Sequence, residues 1–317
     1  MAHLFEEIRY ELNGIEIDRT RKLGVATEMK NYVSLNDFES KNLENAGWTP
    51  LKNIKLSTGH FNFCLPLRNL LGFAEDFDKI IVNSKHELIL MRSKDDDCVM
   101  ASLDATGKPT EKLKLKLLNI TWKVPHVQLS DSYRLSMLKA INSKQPLKIS
   151  FRSWDVYHNP EVQQKTHFLW NVKLAGENER PRYILLGFRK DNKFHHCNLS
   201  DAKVHLNSTT YPYDDLNIRF DHNRYALLYD MYLKFQQSYY GRTPQPLLSP
   251  EKFAETAPII VFDVTHQNES VKSGPIDIRI EIKFHSAIPA NTSAYCILIH
   301  DKIYQYIPIT NYVQKII

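Results

Sequence analysis

Asp277-Ile278-Arg279-Ile280-Glu281-Ile282-Lys283-Phe284 places an apolar side chain at every second position and a charge beside each. Successive strand residues point to opposite faces, so this stretch reads as a strand with one face on a core and one in water. Isoleucine suits a pleated surface and loses rotamer freedom in a helix, which favours the same reading. The period recurs upstream. Phe168, Trp170, Val172 and Leu174 alternate without a break, and Leu147, Ile149 and Phe151 share one face of a strand over 147–157. Residues 183–188, 203–207, 216–220, 259–264 and 295–306 complete the strands of the second half.

The first half carries the same signal more sparsely. A strand over 4–12 ends in Asn13-Gly14, a preferred two-residue hairpin turn, and 15–18 returns the chain. Residues 61–67 form another strand, and 79–82 with 86–92 read as a close strand pair. Leu113, Leu115 and Leu117 alternate with Lys112, Lys114 and Lys116, in a strand continuing through Ile120 and Trp122 to about Val127. Helical spacing is confined to a few places. These are 67–74, 131–143 after the Ser130-Asp131 cap, 222–240, and a short helix opening at Ser249-Pro250-Glu251. Lys144-Gln145-Pro146 ends the second of these and marks the candidate domain boundary.

Many strands with one long inserted helix imply an antiparallel sandwich or barrel after residue 144; a doubly wound fold would alternate strand and helix regularly. The halves echo each other. Arg9-Tyr10-Glu11-Leu12-Asn13-Gly14 resembles Lys203-Val204-His205-Leu206-Asn207-Ser208, which suggests two related β-domains in tandem.

Composition narrows the function. Of 317 residues 43% are apolar and 24% charged, values of a globular chain rather than a disordered or fibrous one. No run nears the ~18 apolar residues of a membrane span, and Glu6 and Glu7 interrupt the opening stretch, unlike a secretory leader. A net charge of +5 falls short of a dedicated nucleic-acid binder. The four cysteines, Cys64, Cys98, Cys197 and Cys296, show no paired spacing and read as reduced thiols.

Catalytic motifs are not evident. Thr106-Gly107-Lys108-Pro109 lacks the first glycine of a phosphate loop and has proline where a hydroxyl should hold magnesium, so it reads as a turn. His86-Glu87 has Leu90 where a zinc-protease helix needs its second histidine. His195-His196-Cys197 is the most metal-like cluster, yet neighbouring strand residues point to opposite faces and a tetrahedral ion needs three or four converging ligands. Asp95-Asp96-Asp97 reads as a solvated turn and the Lys112–Lys116 face as solvated. His300-Asp301 could be half of an acid–base pair, but with no nucleophile to match it reads as a turn or a satisfied edge. No catalytic, cofactor or metal residue is therefore assigned. The long helix carries more tyrosines than a core needs. Core packing is its simplest reading, but ring hydroxyls also suit a half-wet subunit contact. Tyr225, Tyr229, Tyr232, Phe235, Tyr239 and Tyr240, with loop 240–257, are the candidate interface residues.

Several segments together resemble the double jelly-roll major capsid proteins of double-stranded DNA viruses, nearest to those of Polinton/Maverick elements and adintoviruses. They are Glu7–Asp18, Pro66–Phe73 with His86-Glu87-Leu88, Trp122–Val127 with the 131–143 helix, Phe151-Arg152-Ser153-Trp154, Tyr211-Pro212-Tyr213, Gln267-Asn268-Glu269-Ser270 and Tyr295-Cys296. The resemblance implies an all-β fold of two tandem antiparallel sandwiches with a few inserted helices. Residues 1–143 would hold the first roll, without its opening strands as in a truncated or host-captured copy, and the linking helix. Residues 144–317 would hold the second roll. It implies a structural, non-enzymatic, cofactor-free subunit of a virion capsid, assembled inside the host cell. Trimers of pseudo-hexameric outline would tile an icosahedral shell, with minor and penton capsid proteins and non-specific contact with packaged DNA, and without membrane insertion. The rivals are a host-retained binding protein that no longer builds shells and a metal-dependent β-barrel enzyme using 195–197.

Overall fold

In the computed structural model, which describes residues 1–50, 59–96, 98, 113–142, 145–172, 180–267 and 276–316, the 278–284 stretch is a strand. Its Ile278, Ile280, Ile282 and Phe284 are buried, and Arg279 and Lys283 face water. In chain order the first half holds β1 (Phe5–Leu12), β2 (Ile15–Arg21), α1 (Leu23–Ser34), α2 (Asp37–Asn42), α3 (Gly72–Asp76), β3 (His86–Arg92) and α4 (Asp131–Asn142). There follow β4 (Leu147–Asn159), β5 (His167–Val172), β6 (Pro181–Lys190), β7 (Lys193–Phe194), β8 (Leu199–Leu206) and β9 (Thr209–Tyr211). The chain ends with α5 (Ala226–Tyr240), α6 (Pro250–Thr256), β10 (Ile260–Asp263), β11 (Ile278–Phe284), β12 (Thr292–Ile307) and β13 (Tyr312–Lys315).

The second half forms two antiparallel sheets, ordered β4-β12-β6-β10 and β5-β11-β8-β9. Apart from the β8–β9 hairpin, each connection between these eight strands passes from one sheet to the other. That is the jelly-roll winding of a double-sheet fold. The sheets meet through rings, Phe188 of β6 lying edge-on to Phe168 of β5 at 6.2 Å and to Phe284 of β11 at 5.4 Å.

The first half contributes a three-stranded sheet, β2-β1-β3. Its order repeats β9-β8-β11, and the repeat extends to individual bonds. Asn13 follows β1 with φ 53°, and Asn207 follows β8 with φ 51°. The Asn13 amide donates to the Lys85 carbonyl at 2.9 Å, and the Lys85 amide donates to Asn13 Oδ1 at 2.8 Å. Asn207 and Asp277 make the same two bonds, at 2.9 Å each. A short side chain that tolerates the left-handed region thus clasps the residue before β3 in one half and before β11 in the other.

One long ladder walls both cores. β12 pairs with β4 from Ala294 to Tyr306, with β6 over its first part and with β13 over its last. Register places Leu298, His300, Lys302, Tyr304 and Tyr306 on the same face as Ser153, Phe151 and Ile149. At one end this face enters the larger core with Leu298 and Cys296. At the other, Ile149, Phe151, Tyr304 and Tyr306 join Ile8, Tyr10, Leu12, Ile17 and Leu71 in a smaller core beneath β2-β1-β3.

Several expectations need correction. Residues 61–66 and 79–82 form no strand; β3 pairs with β1 instead, Leu88 opposite Tyr10 and Leu90 opposite Ile8. Leu216 and Ile218 are buried as the alternation implied, but their amides bond the Asp201 side chain and the Ser200 carbonyl at 2.9 and 2.8 Å rather than a neighbouring strand. Residues 113–127 pair with no strand among the described residues. The long helix begins at Ala226 rather than 222, because Asn223 takes a left-handed turn after a 3₁₀ turn at 220–222. Thr106–Pro109, Lys112, Asp97, Leu174 and Asn268–Ser270 lie outside the described residues. α1 escaped notice because it is buried nearly all round, from Leu23 to Ser34, and shows no one-sided stripe.

Candidate assembly surface

α5 is placed by its rings. Tyr225, Tyr232, Phe235 and Tyr239 are buried, while Tyr229 and Tyr240 are half-buried. Each phenol in the middle and end of the helix finds an acceptor inside the chain. The Tyr232 hydroxyl donates to the Tyr32 carbonyl at 2.7 Å, and Tyr229 to that of Leu248 at 2.8 Å. Tyr239 and Tyr240 donate to the two oxygens of Glu75 at 3.1 and 2.8 Å. Burial first, and the Glu75 charge second, hold both phenols well above their ordinary pKa, so they remain donors. The surplus hydroxyls thus fasten α5 to α1 and α3.

Glu75 belongs to a polar seam between the cores. Lys30 Nζ lies 2.9 Å from Glu75. Asp76 accepts from Arg152 three times, from the backbone amide at 2.8 Å, Nε at 2.8 Å and Nη2 at 2.6 Å. The Arg152 guanidinium also donates to the Tyr239 carbonyl at 2.7 Å and lies 3.6 Å over the Tyr239 ring. Buried Asp18 accepts from Ser153 Oγ at 2.6 Å and from the Phe73 amide at 2.9 Å, with Lys302 Nζ 4.0 Å away. Buried charges need such partners. Sequence reasoning missed Asp18, Glu75 and Asp76; the only local sign was a pair of carboxylates within the apolar run 70–77.

The surface feature that a monomer does not explain is the segment 113–142. None of its residues is buried, although it carries Leu118 at 75% exposure, Ile120, Trp122, Val124, Val127, Tyr133, Leu135 and Leu138. Its charge is one-sided: Lys114, Lys116, Lys123, Arg134 and Lys139 stand against Asp131. α4 forms as the Ser130-Asp131 signal predicted, with its apolar side in water. So many exposed apolar side chains in one stretch are uncommon on a surface that meets only water. The segment is tethered where the Leu115 amide donates to Asp96 Oδ2 at 3.0 Å, Asp96 itself being paired with Arg92.

The chemical candidates are placed as follows. His86-Glu87 opens β3. His195 and His196 stack at 5.0 Å, His196 on Phe220 at 4.2 Å, and Phe220 on Tyr225 at 5.3 Å. This stack lines a cavity of about 430 Å³ with Glu251 and Glu255 on its rim. Burial lowers both imidazoles, helped by Lys190 at His195 and by His195 at His196, and burial pushes the Cys197 thiol up to about 12. Among the described residues no three His, Cys, Asp or Glu side chains converge on a metal position. His300 is fully buried 3.4 Å from Asp155, and Asp301 pairs with Arg182 at 2.6 Å. All four cysteines are free thiols. No helix among the described residues is long and apolar enough to cross a membrane.

With the winding of the second half and its echo in β2-β1-β3 established, comparison with known proteins is decisive at the level of family. A model of the double jelly roll-like domain matches residues 1–304. The chain belongs to this double jelly roll-like family. Its fold class is accordingly the predicted one, mostly β with antiparallel sheets and inserted helices. Solved structures similar to this family member include PBCV-1 VP54 as fitted into a reconstruction of the virophage Sputnik, with 7% identity, TM-score 0.48, and coverage of 99% of this chain and 84% of that one. A structure of the Sputnik virophage aligns at 8% identity and TM-score 0.47, covering 100% and 74%. The Faustovirus major capsid protein aligns at 10% identity and TM-score 0.41, covering 96% and 71%. No curated protein matches the chain.

Proposed function

We propose that this double jelly roll-like protein is a structural subunit of a viral capsid that works by packing against copies of itself. The family match over 1–304 supports the framework. The observation that carries self-association is the exposed apolar and basic segment 118–142, in which no side chain is buried by its own chain among the described residues. In this reading residues 1–143 and 144–317 are the first and second rolls in chain order. The primary assembly is a trimer of pseudo-hexameric outline within an icosahedral shell, of Polinton or adintovirus kinship. Minor capsid proteins and packaged DNA are further partners, the host cell interior is the site of assembly, and no catalysis is required. The surface of α5 and loop 240–257 contributes through half-buried Tyr229 and Tyr240, with Tyr225, Tyr232, Phe235 and Tyr239 supporting them from inside.

Size-exclusion chromatography with light scattering at micromolar concentration tests this. The expected species has three times the 37.0 kDa protomer mass. A concentration-independent monomer would overturn the reading in favour of a capsid-derived binding protein.

A further inference from the structure

The cavity of about 430 Å³ beside the imidazole stack holds polar groups that the chain itself does not satisfy. Nδ1 of His195 accepts from the Cys197 amide at 2.9 Å, and Nδ1 of His196 from the Asn198 amide at 3.0 Å. In a neutral ring the proton then sits on Nε2. Burial lowers both pKa values, so the rings are neutral at pH 7. Each thus carries an Nε2–H donor, and neither donor has a hydrogen-bond partner among the described residues. In this arrangement neither ring keeps a free lone pair for a metal.

Tyr225 is the exception among the tyrosines of α5 and its start. It is 8% exposed, yet its hydroxyl has no partner among the described residues. That oxygen is not among the buried atoms cut off from solvent, so it opens to the cavity its ring lines. A phenol this deep without a partner forgoes a hydrogen bond that burial makes valuable. α6 adds Glu251 and Glu255, one helical turn apart and so on one side of the helix. Glu255 accepts from Lys252 through one oxygen at 2.9 Å, and Glu251 has no partner among the described residues. Asn223 supplies a further donor and acceptor, and Phe220 and Ala254 supply apolar wall.

We propose that this cavity binds a neutral sugar, a pyranoside held through its hydroxyls. The balance of donors and acceptors decides the class. A cation would match the carboxylates but face the two imidazole N–H groups. An anion would match those donors but meet two carboxylates, with no lysine or arginine lining the cavity. A sugar hydroxyl gives one hydrogen bond and takes others. Neighbouring hydroxyls can therefore donate to Glu251 and Glu255 while accepting from His195, His196 and Tyr225, with the C–H surface against Phe220. The volume falls in the range of small-ligand sites, where a few polar groups orient a ligand against apolar wall. Every lining residue lies in the second half of one chain, so the site does not depend on self-association.

The test is a ligand-observed NMR titration of the full chain with neutral methyl glycosides of glucose, galactose, mannose and N-acetylglucosamine at tens of millimolar. At least one should bind with a millimolar dissociation constant, as expected for so small a ligand. Glu251→Gln should weaken that binding about tenfold and Tyr225→Phe about fivefold. Glu251 is exposed and the Tyr225 hydroxyl holds nothing in the chain, so both variants should keep the wild-type urea midpoint. N-acetyl-arginine amide and methyl glucuronide, one cationic and one anionic, should bind more weakly than the best neutral glycoside. Failure of every neutral glycoside to bind would overturn the proposal. So would equal binding by wild type and both variants, or tighter binding of the arginine compound, which would mark a site for basic peptides.

Discussion

Replacing Asp76 tests whether the polar seam holds the two halves together. Asp76→Ala removes all three acceptor bonds to Arg152 and leaves the guanidinium with one carbonyl and one ring face. The two side chains are only 15% and 23% exposed, so water replaces little of the loss. Removing one member of a buried pair costs about 3–5 kcal/mol. The remaining Tyr239 contacts place this site at the lower end, about 3 kcal/mol. With a urea m-value of roughly 3 kcal/mol/M, the first unfolding transition should fall by about 1 M. Asp76→Asn keeps one carbonyl acceptor and should cost about 1–2 kcal/mol. Combined with Arg152→Met, Asp76→Ala should cost far less than the sum of the two single changes, since the second removes the charge the first stranded. A single Asp76→Ala variant within about 0.5 kcal/mol of wild type, or strictly additive costs, would refute the account.

Gly72→Ala should destabilise by about 2–3 kcal/mol in the same assay, because a Cβ there would sit 1.8 Å from the Arg152 carbonyl oxygen, a backbone atom that cannot swing aside. Tyr232→Phe should cost about 1–2 kcal/mol by stranding the buried Tyr32 carbonyl, with no change in association. Acid should weaken the fold through His195 and His196. Burial keeps both folded pKa values below the ordinary value of about 6.5, so the unfolded chain protonates first. Their contribution is complete above about pH 6.5 and is lost as pH falls through the lowered values. His196→Phe, which keeps the stack on Phe220, should flatten that loss in urea midpoints measured from pH 7 to 5; an unchanged slope would contradict it.

The strands were legible where one face is buried and the other wet, as at Ile278–Phe284, because burial itself writes the period. The same period misled at 113–127. Alternation tells which side chains share a face, but not whether a neighbouring strand exists to receive the backbone, and here no described strand does. For α1 the physics runs the other way: a helix buried on nearly every side writes no stripe. The tyrosines of α5 were noticed for their number, yet the reason for that number lies in Glu75, Tyr32 and Leu248, which are remote in sequence. Asp18 and Asp76 were invisible for the same cause. A carboxylate whose partner is 76 or 135 residues away leaves no local spacing to read.

The seam explains why a single ladder can serve two cores. On one face of β4 and β12 the side chains change from apolar to polar and back, through Leu298, then His300 with Ser153 and Lys302, then Phe151 and Tyr304. A uniformly apolar face would let β2-β1-β3 slide along the ladder, since hydrophobic burial is non-directional. Asp18 at the midpoint prevents this, because its oxygens are satisfied only where Ser153 and the Phe73 amide meet it. Asp76 adds a second fixed point at Arg152, on the opposite face of β4. Two directional contacts on adjacent residues of one strand thus fix where β2 and α3 meet β4. β3 inherits that placement through the backbone ladders, since it pairs with β1 and β1 pairs with β2.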